Sequence, residues 1–245
     1  MPPTRGFASA LARGDRLAVI AEVKRRSPSK GDLAPDLDPA ALGRAYAEGG
    51  AACLSVLTDR EFFGGSPDDL AAARAAIGRP VLRKDFTVDV RDVLDARLMG
   101  ADALLLIVAA LTDAELRRFH ELAVDIGLDV LVEVHDEPEL ERALELRPGV
   151  VGVNQRDLVT FAVDTERAVR MAPLIPPGVV RVAESGIRDA ADAATLAAAG
   201  YDALLVGETL VRAEGPAAAV AGLRVPRLSA SPAADRAGPI TPTSR

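Results

Sequence analysis

The chain has 245 residues, 49% of them hydrophobic, and a formal net charge of −7 at pH 7. This acidic balance argues against a general nucleic-acid surface, and no apolar run reaches the roughly 18 residues that a membrane-spanning helix needs. The single cysteine, Cys53, excludes a disulfide framework. Together with an N-terminus that lacks a signal-peptide pattern, it favours a cytoplasmic location.

Eight apolar, β-rich segments alternate with amphipathic segments along the chain. The predicted strands cover residues 17–23, 52–57, 80–83, 102–108, 129–134, 150–153, 179–184 and 202–207. Their near-continuous apolar character is typical of strands buried on both faces of a parallel sheet. A helix is predicted over residues 112–127, opened by a capping box of Thr112 and Glu115. Gly100, Gly127 and Gly200 stand where helices are expected to end.

Eight strand–helix units in a chain of this length predict one α/β domain, a (β/α)8 TIM barrel over residues 1–225. A doubly wound open sheet is the alternative, and the lack of a G-x-G-x-x-G motif after the first strand disfavours it. Residues 226–245 are rich in Pro, Ser and Ala, and we expect a disordered tail there.

Polar side chains cluster at the predicted carboxyl ends of the strands, where TIM barrels carry their active sites. Glu22 and Lys24 share one face of the first strand, because side chains alternate along a strand. Later strands contribute Lys84, Glu133, Asn154 and Glu184. Buried charges are costly unless paired, so these residues either form a salt-bridge plug or line a catalytic mouth. Polar residues on so many strand ends favour the catalytic interpretation, because clustered acid–base groups shift one another's pKa.

A phosphate site is predicted in the loops after the seventh and eighth strands, where TIM barrels often place one. "ESGI" supplies Ser185 and Gly186, and "VGETLV" supplies Gly207 at the start of a helix. Glycine lets backbone N–H groups approach an anion closely. The side chain of Glu208 must then point away from the anion, so that only its N–H contributes. Two ordinary loop glycines would give the same pattern.

The chain has 29 basic residues but only three lysines: Lys24, Lys30 and Lys84. Because Lys, unlike Arg, can lose its proton, we expect the two lysines at the mouth to have lowered pKa values and to act as acids. Lys30, in the loop after the first strand, belongs either to a mobile lid or to ordinary surface. His120 and His135 are too isolated in sequence to form a metal site.

At this point the motifs resemble those of the indole-3-glycerol phosphate synthase family. "VIAEVKRRSPSKG" is similar to the family's first-strand signature. Later motifs follow in the same order: "LSVLTDREFFGGS", "VLRKDF", "LLLIVAAL", "VEVHDEPEL", "VGVNQRDL", "VAESGI" and "LLVGETLV". The resemblance implies a carboxy-lyase of tryptophan biosynthesis that needs no cofactor or metal. Its substrate would be 1-(2-carboxyphenylamino)-1-deoxyribulose 5-phosphate, converted to indole-3-glycerol phosphate by ring closure, decarboxylation and dehydration.

The resemblance also implies roles for the charged residues. Lys84 would be the general acid of ring closure, and Lys24 would hold the substrate carboxylate. Glu133 would be the acid–base partner in dehydration, while Glu22 would position Lys24 and the reacting hydroxyls. The division of the proton transfers among Lys84, Glu133 and Lys24 is left open.

Further residues would contact the rest of the substrate. Asn154 and Glu184 would bind the sugar-derived chain, and Arg156 would contact a carboxylate. The implied phosphate contacts are Ser27, Ser185, Gly186, Gly207 and the N–H of Glu208. The aromatic ring would pack against Phe63, Phe86, Leu105 and Leu158, and Leu205 would shape the pocket.

The chain departs from the family pattern at its N-terminus. The family usually has a longer extension, with a helix packed across the top of the barrel, and "FASALARGDR" resembles only the end of it. We therefore expect a shortened extension and a more open pocket. The expected partner is a small phosphorylated substrate, without nucleic acid or membrane. A monomer and contact with other tryptophan-pathway enzymes both fit the sequence, and the oligomeric state is left open.

Two alternatives stay open at this stage. Another phosphosugar barrel enzyme is one, but phosphoribosylanthranilate isomerase would want Cys on the first strand and Asp on the fifth, where this chain has Glu22 and Glu133. A Schiff-base aldolase would typically carry lysine where Asn154 stands. A truncated, non-catalytic paralogue is the other; the short N-terminus favours it and the intact set of charged residues disfavours it.

Overall fold

The computed structural model describes residues 3–157 and 159–227. Eight parallel strands close a barrel in which each strand pairs with its sequence neighbours and the last pairs with the first. The strands are β1 (Ala18–Val23), β2 (Cys53–Leu57), β3 (Val81–Lys84), β4 (Ala103–Ile107), β5 (Asp129–Val134), β6 (Val150–Asn154), β7 (Val180–Glu184) and β8 (Ala203–Val206). The predicted (β/α)8 barrel is confirmed, and the open-sheet alternative is wrong.

Helices separate the strands and cover the outside of the barrel. In the described part of the chain they are α1 (Phe7–Ala12), α2 (Pro39–Glu48), α3 (Pro67–Ala76), α4 (Val90–Leu98), α5 (Asp113–Asp125), α6 (Glu137–Leu144), α7 (Arg167–Met171), α8 (Ala190–Ala198), α9 (Glu208–Val211) and α10 (Pro216–Leu223). None of these described helices is long and apolar enough to cross a membrane. A short antiparallel hairpin joins Arg26–Ser27 to Gly31–Asp32 in the loop after β1.

Local signals in the sequence fix where several helices begin and end. The capping box predicted for α5 is present, because Thr112 Oγ1 accepts from Glu115 N and Glu115 Oε2 accepts from Thr112 N, at 3.4 and 2.9 Å. Gly100, Gly127 and Gly200 follow α4, α5 and α8 with φ of 88°, 82° and 95°. Only glycine adopts this left-handed conformation without strain, so the predicted helix ends are confirmed.

Two apolar clusters make up the core. One lies between the barrel and the helices, and the other fills the barrel interior with side chains such as Ile20, Leu82, Leu131 and Val182. Because side chains alternate along a strand, the next inward position towards the carboxyl end carries a polar residue on several strands. The apolar interior therefore ends in a charged layer at the mouth.

Helix α1 closes the opposite, N-terminal end of the barrel. Phe7 and Leu11 are fully buried in the interior cluster. Ala8 N donates to Asp129 Oδ2 at 3.0 Å, and Asp129 lies at the start of β5. The segment that resembles the end of the family's extension is thus a bottom plug and does not cross the top of the barrel.

The described chain continues two residues into the predicted tail. Pro226 forms an antiparallel bridge with Arg16, and Arg227 N donates to Asp15 O at 2.7 Å. The remainder of the expected disordered segment, residues 228–245, lies outside the described residues.

Candidate active site

The first part of the mouth is a pair of charges at the end of β1. Glu22 is 4% exposed, and its Oε1 lies 2.6 Å from Lys24 Nζ. Ser55 Oγ on β2 donates to Glu22 Oε2 at 3.4 Å. Burial raises the pKa of Glu22, but the charges of Lys24 and Lys84 outweigh burial and lower it below its ordinary value. Glu22 is therefore an ionised anchor for Lys24.

The second part is centred on Lys84, at the end of β3. Its Nζ lies 3.2 Å from Glu133 Oε2 on β5 and 4.0 Å from Glu184 Oε2 on β7. Asn154 on β6 donates from Nδ2 to Glu133 Oε1 at 3.0 Å. All six residues predicted to be catalytic thus lie at one mouth, brought there by five different strands.

Asn154 links this cluster to the loop after β7. Its Oδ1 accepts from Ser185 Oγ at 2.8 Å and from the backbone N of Arg156 at 3.0 Å. With its amide nitrogen on Glu133, the side chain is held at both ends. Asn154 therefore orients the Glu133 carboxylate relative to Lys84.

Two glycines make room for the carboxylates. A Cβ at Gly152 would overlap Glu184 Oε1, and one at Gly207 would overlap Glu22 Oε1. Gly152 is the inward residue of β6 between Val150 and Asn154, so its missing side chain is the space that Glu184 occupies. The charged layer depends on these two positions being glycine.

The two carboxyl groups around Lys84 are pushed in opposite directions. Burial raises the pKa of Glu133, but Lys84, His135 and Asn154 outweigh it and hold that pKa well below its usual range. Burial, reinforced by the negative charges of Glu133 and Glu22, raises the pKa of Glu184 well above its usual range. A pair of carboxyl groups separated in this way divides into one base and one acid.

The prediction of an acidic lysine with a lowered pKa is wrong for Lys84. Burial alone would lower the pKa of Lys84, but Glu133, Glu184 and Glu22 surround it and raise the pKa above its ordinary value. The sequence placed Lys24 and Lys84 at one mouth but did not show that three glutamates face Lys84. Lys84 is held as a charged ammonium.

The loops predicted to bind phosphate lie side by side, because Leu205 on β8 pairs with Glu184 on β7. Thr209 Oγ1 ties the loops together by donating to Ile187 O at 2.7 Å. The Glu208 carboxylate lies 3.9 Å from Nε of Arg212, the residue after α9, which leaves the helix start to its backbone N–H groups.

Ser185 and Gly186 both have left-handed backbones, with φ of 68° and 72°. For serine this conformation is strained, and it persists only where surrounding contacts impose it. Here Gln155 Nε2 donates to Ser185 O at 2.8 Å, while Ser185 Oγ is held by Asn154. The loop is therefore fixed relative to the catalytic cluster.

The other predicted binding residues are more scattered. Leu105 and Leu205 are 2% and 5% exposed in the barrel interior, beneath the mouth. Phe63 is half-buried and its carbonyl accepts from Arg26 N of the hairpin that carries Ser27, at 3.3 Å.

Three predicted binding residues remain, of which the structure describes Phe86 and Arg156. Phe86 is 43% exposed just beyond β3. The guanidinium of Arg156 donates to Phe161 O in its own loop at 3.0 Å, so only its backbone reaches the cluster. Leu158 lies outside the described residues.

Sequence reasoning missed several residues that contact the cluster. Ser55 is fully buried beside Glu22, and Gln155 is 2% exposed behind Ser185. His135 Nε2 lies 3.4 Å from Glu133 Oε1. The signal that could have found it is strand alternation, since His135 stands two residues after Glu133. Within residues 3–157 and 159–227, no group of three or more His, Cys, Asp or Glu residues is placed to hold a metal ion.

Comparisons with known proteins bear on this site. The family described as indole-3-glycerol phosphate synthase matches residues 1–223. Indole-3-glycerol phosphate synthase 2 of Streptomyces coelicolor is 55% identical over 222 residues, covering 91% of this chain and 86% of that protein. Indole-3-glycerol phosphate synthase of a Nocardioides species is 57% identical over 203 residues, covering 83% of this chain and 78% of that protein.

A solved structure supports the fold alone. Thiamine phosphate pyrophosphorylase from Pyrococcus furiosus superposes with a TM-score of 0.64 at 17% identity, over 84% of this chain and 93% of that one. The sequence matches decide the family: the chain belongs to the indole-3-glycerol phosphate synthase family.

Proposed function

We propose that this chain is an indole-3-glycerol phosphate synthase, a carboxy-lyase of tryptophan biosynthesis. It would act on 1-(2-carboxyphenylamino)-1-deoxyribulose 5-phosphate, closing the indole ring with loss of CO2 and water. The observation that carries the proposal is the Lys84 ammonium held between Glu133 and Glu184, at the carboxyl-end mouth of a barrel from this family.

Ring closure needs a proton donor at the substrate's carbonyl oxygen. In the proposed step, the ring carbon that bears the carboxylate attacks the carbonyl carbon, a C–C bond forms, and Lys84 delivers a proton to the oxygen. The Glu133 and Glu22 carboxylates keep Lys84 charged before the substrate arrives. The ammonium is thereby in place to stabilise the negative charge that develops on the carbonyl oxygen, which is electrostatic stabilisation by a preorganised site.

Decarboxylation and dehydration follow in this scheme. The C–C bond to the carboxylate breaks, CO2 leaves, and the electron pair returns to the ring. The new hydroxyl then leaves as water. This step needs one proton delivered to the hydroxyl oxygen and another removed from the intermediate. Glu133, held ionised, is suited to accept a proton, and Glu184, with its raised pKa, is suited to hold one.

The remaining polar residues divide the substrate's charged ends between them. Lys24, fixed by Glu22 at 2.6 Å, is proposed to hold the substrate carboxylate. The proposed phosphate contacts are Ser27, Ser185, Gly186, Gly207 and the N–H of Glu208. The aromatic ring is proposed to lie against Phe63 and Phe86, above Leu105 and Leu205. Opposite ends held in this way bring the attacking carbon to the carbonyl.

One chain is the proposed active unit, because the six charged and amide residues of the mouth come from the same barrel. A cytoplasmic location and contact with other tryptophan-pathway enzymes remain part of the proposal. The thiol of Cys53 is buried and unpaired, as suits a reducing compartment.

The test is to mix the purified 245-residue chain with the carboxyphenylamino-deoxyribulose phosphate and follow indole fluorescence. Growth of product fluorescence supports the synthase. Parallel reactions with phosphoribosylanthranilate test the isomerase alternative. An isomerase would turn over phosphoribosylanthranilate and not the carboxyphenylamino-deoxyribulose phosphate. Binding of the first substrate by calorimetry without turnover would contradict the proposal and favour a ligand-binding paralogue.

A further inference from the structure

His135 lies directly behind the Glu133 carboxylate. It follows the last residue of β5 and stands two positions beyond Glu133, so strand alternation places both on one side. Its side chain is 11% exposed, and its Nε2 lies 3.4 Å from Glu133 Oε1. The ring is thus between the mouth and the start of α6.

The ring is fixed from outside the mouth by Glu139, in the first turn of α6. Glu139 Oε2 lies 3.0 Å from His135 Nδ1 and accepts from His135 N at 2.8 Å. Glu139 N is bound in turn by the helix N-cap, Asp136, at 2.9 Å. This anchoring leaves the imidazole with little freedom to turn away from Glu133.

Both ring nitrogens face carboxylates, and only the imidazolium form has an N–H on both. Burial lowers the pKa of His135, but Glu133 and Glu139 outweigh it and raise the pKa to about 9. The other titratable groups nearby act through Glu133 (Lys84 from β3 and Glu184 from β7) or lie at the N-cap of α6 (Asp136). The ring is therefore cationic at neutral pH.

The contact with Glu133 is close but incomplete. His135 Nε2 is buried without a well-formed hydrogen bond, while the same oxygen of Glu133 accepts from Asn154 at 3.0 Å. Glu133 Oε1 therefore has two donors within reach, Asn154 Nδ2 at 3.0 Å and His135 Nε2 at 3.4 Å.

We propose that His135 is a positioning residue for Glu133: its ring, fixed by Glu139, keeps the Glu133 carboxylate directed at Lys84. The inference rests on the proposed function, since it concerns the same site. His135 itself has no role in contacting the substrate in this scheme; it acts through Glu133.

The kinetic test compares two substitutions with a matched control. His135→Leu removes both N–H groups, and we expect kcat to fall about 10- to 100-fold, the cost of a misplaced catalytic group, with KM within about twofold. His135→Gln keeps one donor at similar reach and should recover most of kcat. His120→Gln, on α5, replaces the only other histidine and should leave both constants unchanged.

A second measurement needs no turnover. In the His120→Gln chain, His135 is the only histidine, so its imidazole signals can be followed by NMR against pH. We expect titration near pH 9, moving towards the ordinary value when Glu139→Gln removes the anchoring charge. Titration near 6.5, or no response to Glu139→Gln, would overturn the proposal even if His135→Leu failed to fold.

The outcomes separate this inference from the proposed function. A wild-type chain without turnover refutes the synthase, whereas an active wild type matched in kcat by His135→Leu refutes the role of His135 alone. Equal losses in His135→Leu and His135→Gln, with lowered thermal stability in both, would mark the ring as structural and also overturn the inference.

Discussion

The two ends of this barrel both bury carboxylates but satisfy them differently. At the N-terminal end, Asp102 is fully buried and accepts from Arg5 N at 3.0 Å, Val81 N at 2.8 Å and Arg74 Nη2 at 3.0 Å. At the carboxyl end, the donors to Glu133 are Lys84 and Asn154, both of them side chains. Two of the three donors to Asp102 are backbone N–H groups, which the fold fixes, whereas the side-chain donors to Glu133 can move and exchange protons.

The contrast indicates that the N-terminal end stabilises the fold and that the carboxyl end carries the reactive groups. Asp102 accepts from donors in three places, the segment before α1, β3 and α3, so it ties these parts of the fold together. At the mouth, Glu184 Oε1 is buried without a partner, and Ser185 holds a strained backbone. Unsatisfied polar atoms and strain persist at functional sites because the rest of the fold supports them.

The largest effect is expected at the centre of the mouth. Lys84→Gln removes the proposed proton donor and the charge that Glu133 and Glu184 share, so kcat should fall about 1,000-fold. Steady-state indole fluorescence measures this, with circular dichroism to show an intact barrel. Arg91→Gln removes the same charge from an 81% exposed side chain on α4 and should be silent. Near-normal turnover in Lys84→Gln would contradict the assignment of catalysis to the carboxyl end of the barrel.

Next in size is a change that adds one methyl group and no charge. Gly152→Ala would place a Cβ on Glu184 Oε1, forcing that carboxyl out of its position, and we expect kcat to fall about 100-fold. Gly149→Ala, just before β6, has open space around its added Cβ and serves as the control. If both variants turned over at the same rate, the placement of Glu184 would not matter for catalysis.

At the opposite end the same kind of change should affect stability and spare turnover. Asp102→Asn leaves at least one of the backbone N–H groups of Arg5 and Val81 without an acceptor, because an amide offers one oxygen. We expect the free energy of unfolding to fall by about 1–3 kcal/mol. Urea denaturation measures it, with the exposed Asp125→Asn on α5 for comparison. A large loss of kcat in the folded variant would contradict the division of roles.

The sequence was sufficient for the fold and for the six charged and amide residues at the mouth. Periodicity, the capping box at Thr112 and the glycines after α4, α5 and α8 are local signals, so they could be read without three-dimensional information. Strand alternation placed Glu22, Lys24 and Lys84 at one end. These features depend on near neighbours in the chain.

What could not be predicted depends on contacts between distant segments. The raised pKa of Lys84 follows from three glutamates on three other strands, and the sequence shows none of these distances. The bottom position of α1 follows from Phe7 and Leu11 fitting the barrel interior. His135 was visible two residues after Glu133, but its orientation depends on Glu139 from the next helix.

The smallest effect tests whether the mouth gives up stability for reactivity. Burial, then Glu133 and Glu22, raise the pKa of Glu184. A carboxyl group whose pKa is higher in the folded chain than in the unfolded chain binds more protons in the folded chain. Its contribution to the free energy of unfolding is therefore full below its unfolded-state pKa and is lost as pH rises through its folded-state pKa.

Glu184→Gln cannot titrate, so it should gain stability over wild type as pH rises above the ordinary glutamate range, while losing turnover. Urea denaturation at pH 5 and pH 8 gives the comparison, and Glu121→Gln, an exposed site on α5, supplies the baseline. A stability difference that stayed constant or shrank between these pH values would mean that Glu184 ionises in the folded chain as easily as in water. The mouth would then stabilise its carboxylates as well as the N-terminal end does, and its reactivity would have to come from the substrate.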